Sequence, residues 1–149
     1  YDHAERIPLP FGTPYHGAVA TKLTSRTNGE SFVACSVHIR PNDAFTSTDK
    51  AQVGKRADIA TVIALLKDYP RVVVGGDWST EAARAQMEAA GYRLASPWLD
   101  SYDKAGIQRL DAIYVRGLDV RASSAHPTGA SDHHGLLANL TIPASVPTT

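Results

Sequence analysis

Arg71-Val72-Val73-Val74-Gly75-Gly76-Asp77-Trp78-Ser79 decides how the rest of the chain is read. Pro70 stands before it and ends any helix arriving from upstream. The apolar run from Arg71 to Gly75 is too short for a helix and bounded by glycine. It reads as a central strand buried on both faces. Two glycines then let the backbone turn tightly and leave room for a ligand. Asp77 follows at the carboxyl end of the strand, where open α/β sheets bind ligands. As a plain turn residue it would be stabilised by the dipole of the next helix instead. Ser79, just before Thr80-Glu81-Ala82, reads as the N-cap of a helix from Thr80 to Ala90, closed by Gly91.

Upstream, His16 to Thr24 and Ser31 to Ile39 read as two strands of a hairpin. Their connection carries Asn28-Gly29, the strongest short hairpin signal. Both faces of the second strand are at least partly apolar, as in a sheet covered on two sides. A helix is predicted from Asp49 to Asp68, because Ile59, Val62, Ile63 and Leu66 make one apolar stripe. Downstream, strands are predicted over Leu110–Arg116, Asp119–Ser124 and Gly135–Ile142. Residues 1–15 are broken by Pro8, Pro10, Gly12 and Pro14 and read as irregular. Residues 143–149 read as a frayed tail. The expectation is one domain over residues 1–149, of α+β or layered α/β class, with helices covering a sheet.

Composition narrows the field. The chain has 149 residues, 43% hydrophobic and 20% charged, which is ordinary for a globular domain and excludes a disordered or fibrous one. Fifteen Lys and Arg balance fifteen Asp and Glu, so the basic excess of a non-specific nucleic-acid coater is missing. No apolar run is long enough to span a bilayer, and Tyr1-Asp2-His3-Ala4-Glu5-Arg6 carries no signal-peptide pattern. A soluble chain of bacterial or phage origin is expected, with its compartment open. Cys35 is the one cysteine, so an internal disulfide framework and a cysteine zinc site are excluded.

Four segments place polar groups at strand ends: Ser36-Val37-His38, Gly75-Gly76-Asp77-Trp78-Ser79, Arg109-Leu110-Asp111 and Ser131-Asp132-His133-His134. Asp111 shares a strand face with Ile113 and Val115, and a carboxylate there must be paired or sit at the rim. Asp132-His133 joins a hard-cation ligand to an acid–base group. The same four residues would also serve as a polar turn capped by Ser131, with His134 facing solvent. His126 reads as a loop residue and His3 and His16 as bystanders; Arg26, Lys55 and Arg56 could face the cleft or solvate the surface, with solvation the default. Three acids and two histidines without cysteine fit Mg²⁺, Mn²⁺ or Ca²⁺ better than structural zinc. The chemistry they suit is attack of an activated water on a phosphate ester.

In this order the segments resemble the motifs of the endonuclease/exonuclease/phosphatase (DNase I-like) superfamily: a strand ending in His, Gly-Asp-Phe-Asn, Arg-x-Asp-Tyr and Ser-Asp-His. His16-Gly17-Ala18-Val19-Ala20 is also similar to the family's Gly-Asn-Ala-Ile-Leu strand. The resemblance implies a sandwich of two sheets flanked by helices and a metal-dependent phosphodiesterase or nuclease. It implies that Asp77 orients or deprotonates water or binds metal, and that Asp132 helps bind Mg²⁺. His133 would contact the scissile phosphate, Asp111 would fix the tautomer of His133, and His38 would act as general acid or phosphate ligand. Ser79 and Arg40 are expected on the substrate side. Ser79 stands where the family has Asn. The family's metal-binding Glu has no counterpart ahead of His16 except Glu5, outside the expected Gln-Glu setting. The chain is therefore expected to match the C-terminal part of the superfamily domain, incomplete at its N-terminus. The expected partners are a nucleic-acid, lipid or small phosphoester and a complementary N-terminal segment or chain. The second expectation is a non-catalytic relative, or half of a split enzyme, that binds a partner or phosphate ligand without cleaving it.

Overall fold

A computed structural model describes residues 3–7, 16–26, 29–41, 48–98 and 109–143. Asn28, the loop over 42–47 and the tail beyond Pro143 lie outside the described residues. The elements run β1 (His3–Ile7), β2 (Gly17–Thr24), β3 (Ser31–His38), α1 (Thr48–Leu66), β4 (Val72–Asp77), α2 (Ala83–Ala89), β5 (Arg93–Leu94), β6 (Asp111–Arg116), β7 (Asp119–His126) and β8 (Gly135–Thr141).

Six strands form one mixed sheet in the order β1-β2-β3-β4-β6-β5, and β7 and β8 form a second. β3 and β4 run parallel, joined through α1; the other neighbours in the sheet are antiparallel. The two sheets with helices on one outer face make the layered α+β architecture expected from the sequence.

Alternation along the strands divides the core in two. Val33, Cys35, Val37, Val72, Val74, Ala112 and Tyr114 face the helices. There they meet Ile59, Val62 and Leu66 of α1 and Ala83 and Met87 of α2. Each fully buried aliphatic of this set contributes about 1.5–3 kcal/mol by leaving water. Val73, Ile113 and Val115 face the other way and meet Leu118, Val120, Ala138 and Leu140 of the second sheet. Trp78 closes the helix-side core. Its indole N–H donates to the Ala112 carbonyl at 3.1 Å, and its ring sits edge-on to Tyr114.

Three local readings change. The stretch read as irregular over 1–15 contains β1, whose backbone pairs with β2 along His3↔Lys22 to Ile7↔Ala18. The stretch between α2 and β6, which the sequence pattern reads as irregular, holds the short strand β5, added to the edge of β6. Ser79 is not a helix cap: the cap position of α2 is Ala82, without a side-chain cap bond, and the Thr80 hydroxyl accepts the Ala82 N–H.

Gly76 sits at the tightest point. Its φ is +144°, and a Cβ there would lie 2.0 Å from the Val37 carbonyl oxygen of the neighbouring strand. The backbone can neither adopt that angle with a side chain nor move off β3 without breaking the ladder. Gly76→Ala is expected to lower unfolding free energy by more than about 2 kcal/mol, read as a lower urea midpoint. A midpoint equal to wild type would show that β3 and β4 separate easily here.

Candidate active site

Strand register builds the site. His38 is the cross-strand neighbour of Asp77, and Asp77 of Asp111. Paired positions carry their side chains on one face. Three chemistry-bearing residues from β3, β4 and β6 therefore stand in a row at one edge of the large sheet, on the face that looks toward β7 and β8.

Two imidazole–carboxylate pairs result. His133, from the loop between β7 and β8, places Nδ1 2.7 Å from Asp111 Oδ2. A carboxylate only accepts, so Nδ1 carries a proton and Nε2 is the outward-facing nitrogen. Burial lowers the basicity of His133, but the hydrogen bond and charge of Asp111, with the charges of Asp77 and Asp132, outweigh it. The net effect raises its pKa above the ordinary histidine value. The loop is fixed around it: Ser131 Oγ accepts the His133 N–H at 3.1 Å, and the Thr128 hydroxyl donates to its carbonyl. The second pair is looser, with His38 Nε2 3.6 Å from Asp77 Oδ2.

Asp77 is held from behind. Its Oδ1 accepts the Ser79 N–H at 2.6 Å. The Ser79 hydroxyl lies between two acceptors, the Ile39 carbonyl at 3.0 Å and Asp77 Oδ1 at 3.1 Å, and has one proton to give. The nearly buried Ser79 has φ +51°, a left-handed conformation unusual for serine.

The other named residues fall as follows. Asp132 lies beside His133 in the same loop and is half-buried. Arg40 is engaged inward, donating from Nε and Nη2 to the two carboxylate oxygens of buried Asp58 at 2.7 and 3.0 Å. His134, read as solvent-facing, is half-buried. It lines a cavity of about 260 Å³ with Gly75, Gly76, Asp111, Ile113 and Leu136. His126 is exposed at the end of β7 and bonds to Ser124.

Two residues of the site escape a reading of the sequence. His16, taken for a bystander, packs its ring edge-to-face with His38, centroids 4.7 Å apart. Burial lowers its pKa, as do His38 and Arg40, against the opposite pull of Asp77 and Asp58. The hairpin register held the signal, since Gly17 pairs with His38. Lys55, taken for surface charge, is 2% exposed, and its ammonium donates to the Ser79 carbonyl. Its signal was helical spacing, because Lys55 continues the stripe of Ile59, Val62 and Leu66 by one turn.

Among the described residues no three His, Cys, Asp or Glu side chains converge as a metal site. Asp77 and Asp132 are hard-cation donors, yet with the other described side chains they do not close a cage. The described residues do not fit a complete cation site.

No family model matches the chain. A "UPF0294 protein" of Vibrio vulnificus strain YJ016 is 33% identical over 91 residues, 55% of this chain and 32% of that protein. The match thus spans about a third of the curated relative. Solved structures extend the likeness. An endonuclease/exonuclease/phosphatase from Bacteroides vulgatus superposes with TM-score 0.75 at 15% identity, over 95% of this chain and 65% of that one. The human Nocturnin catalytic domain with bound sulfate gives 0.72 at 15%, over 95% and 59%. D. rerio TDP2 complexed with single strand DNA product gives 0.69 at 14%, over 93% and 67%. The fold is that of the endonuclease/exonuclease/phosphatase, DNase I-like, superfamily.

Asp111→Asn keeps an acceptor for Nδ1–H but removes the charge. The His133 pKa is expected to fall, read by NMR titration of its ring protons. A folded pKa raised above the unfolded value gives stability that is present in full below the unfolded pKa near 6.5. That stability disappears as pH rises through the folded value. Wild type should therefore exceed Asp111→Asn most below about pH 6. An unchanged His133 titration would show that Asp111 does not set its protonation.

Proposed function

We propose that this chain hydrolyses phosphoesters, and in particular phosphodiesters, by attack of a water held at Asp77. The observation that carries the reading is the pair of imidazole–carboxylate dyads on neighbouring strands, His133–Asp111 at 2.7 Å and His38–Asp77 at 3.6 Å. The solved structures of the same fold support it, since their names include an endonuclease/exonuclease/phosphatase and a TDP2 with a DNA product.

The residues divide the work. Asp77 has one oxygen fixed by Ser79, so the other can orient a water and accept its proton. His133, whose protonated form Asp111 favours, donates in that form from Nε2 to a non-bridging phosphoryl oxygen and offsets the charge that develops there. His38, at the far side of Asp77, supplies the proton taken up by the departing alkoxide. The water oxygen joins phosphorus as the bond to the leaving oxygen breaks. Ser79 backs Asp77 and has its hydroxyl beside it. Arg40 is held by Asp58 through Nε and Nη2, so any contact it makes with substrate comes from a guanidinium fixed in the frame.

A divalent cation belongs to this proposal: Mg²⁺ first, Mn²⁺ or Ca²⁺ as alternatives. When bound it would offset phosphate charge. Asp132 and Asp77 are the carboxylates on offer, and a complementary N-terminal segment or chain is the source proposed for the remaining donors. Nucleic acid and small or lipid phosphoesters stay within the proposed substrate class. The incomplete cation cage favours one second reading, a relative that binds a phosphate-bearing ligand without cleaving it. Among the described residues no helix is long and apolar enough to cross a membrane. The Vibrio relatives fit a bacterial origin.

The test is turnover of bis(p-nitrophenyl) phosphate and of a single-stranded oligonucleotide, in Mg²⁺, Mn²⁺ or Ca²⁺ and in a chelator. Asp77→Ala and His133→Gln should each lower kcat by about a hundredfold or more, with circular dichroism unchanged. A folded wild-type chain that cleaves neither substrate in any of the three ions sinks the reading of this chain as a hydrolase that works without a complementary segment. Saturable binding of the oligonucleotide by that inactive chain would leave the second.

A further inference from the structure

Lys55 is a charged side chain in a place where an apolar one would pack. It sits on the buried stripe of α1 with Ile59, Val62 and Leu66, and is 2% exposed. Burying an amine costs free energy unless the amine finds a use. The hydrogen bond it makes is to the main-chain carbonyl of Ser79. Burial lowers its pKa, and Asp77 pulls in the opposite direction, so Asp77 is close enough to be felt.

The partner is in an unusual state. Ser79 has φ +51°. That region strains serine, whereas glycine and asparagine adopt it readily. The conformation has a consequence for chemistry, because it directs the Ser79 N–H onto Asp77 Oδ1 at 2.6 Å. A residue that relaxed to the right-handed region would swing that N–H away and release the carboxylate. Three local contacts oppose relaxation: the Ser79 N–H to Asp77, the Ser79 hydroxyl between Ile39 and Asp77, and Lys55 on the Ser79 carbonyl. The first two are short-range within the turn and its neighbouring strand end. Lys55 is the one that comes from a helix. That helix is itself fixed to the end of β3 by the two hydrogen bonds of Arg40 to Asp58, three residues beyond Lys55.

We propose that Lys55 is a positioning residue for Asp77: it clamps the Ser79 carbonyl and so holds serine in the left-handed turn that aims the Asp77 carboxylate. The inference rests on the reading of Asp77 as the water-orienting group. Its clamp component does not depend on catalysis.

The experiment is a double-mutant cycle with two readouts. Lys55→Met removes the donor and keeps the volume. Ser79→Asn makes the left-handed turn easier without Lys55. The first readout is amide exchange by NMR at Ser79, with Val74 in β4 as control. Lys55→Met should speed exchange at Ser79 at least about tenfold and leave Val74 alone, and Lys55→Arg should restore protection. In the Ser79→Asn background Lys55→Met should change exchange at position 79 by no more than about twofold. The second readout is diester turnover. Lys55→Met should lower kcat by about ten- to a hundredfold with KM little changed, and the loss should shrink in the Ser79→Asn background. If Lys55→Met does not fold, Lys55→Gln and Lys55→Arg replace it, and protection should follow the order Lys, Arg, Gln. Unchanged Ser79 protection in Lys55→Met, or an undiminished effect in the Ser79→Asn background, overturns the proposal. Absence of turnover in wild type overturns the hydrolase reading alone, because the exchange cycle still reports on the clamp.

Discussion

One backbone ladder carries the site: β3 parallel to β4, and β4 antiparallel to β6, in a register that sets His38, Asp77 and Asp111 side by side. Side chains alternate faces with a period of two. A slip of one residue in β4 would turn Asp77 into the helix-side core and bring Gly76 to the row. Two features forbid the slip. Val72 and Val74 are fully buried on the helix side, so both would move to the opposite face. Gly76 approaches the Val37 carbonyl so closely that a side chain there would meet backbone. The glycine that looks like a loop signal is thus also a register lock.

The two faces of that sheet divide the labour. The face toward β7 and β8 presents the groups proposed to do chemistry, with His133 brought over by the second sheet. The helix face supplies support. Trp78 fills the core directly behind Asp77 and ties its indole to β6. Arg40 and Asp58 tie α1 to the end of β3, with Asp58 1% exposed. A buried ion pair of this kind adds little net stability, because desolvation offsets the attraction, but breaking it by removing one partner costs about 3–5 kcal/mol. Its effect is to fix where α1 stands, and so where Lys55 reaches.

The sequence displayed what is local. The β2–β3 hairpin, α1, β4 and β6 follow from strand patterns and an apolar stripe, whereas the pairing of Asp111 with His133 is implied only by the resemblance to the superfamily's motifs. What it concealed has non-local causes. His3–Ile7 carries no strand pattern of its own; its backbone adds to the open edge of β2. β5 is two residues long and exists because β6 offers partners. The rule that puts serine before a helix misreads Ser79, because the chain makes a left-handed turn first. The lysine that grips that turn lies 24 residues upstream. His16 looks isolated until hairpin register brings it beside His38. Local rules also assign an exposed-looking cation to solvent by default, and so miss the burial of Lys55.

Charge at the sheet edge gives the last constraint. Asp77, Asp111 and Asp132 bring three formal negative charges to one small region. Lys55 and the imidazolium favoured at His133 return two, while Arg40 and Asp58 cancel each other. A phosphodiester arriving there adds another negative charge. Like charges about 4 Å apart at a protein surface repel by about 4 kcal/mol, so an anionic substrate is poorly received by these residues alone. Fixed hydrogen-bond donors soften that repulsion but do not reverse its sign. In the proposed reaction a hard divalent ion, which carboxylate oxygens favour, would reverse it. The balance of charge, rather than a preformed cage, is what would couple the proposed phosphodiester chemistry to a cation.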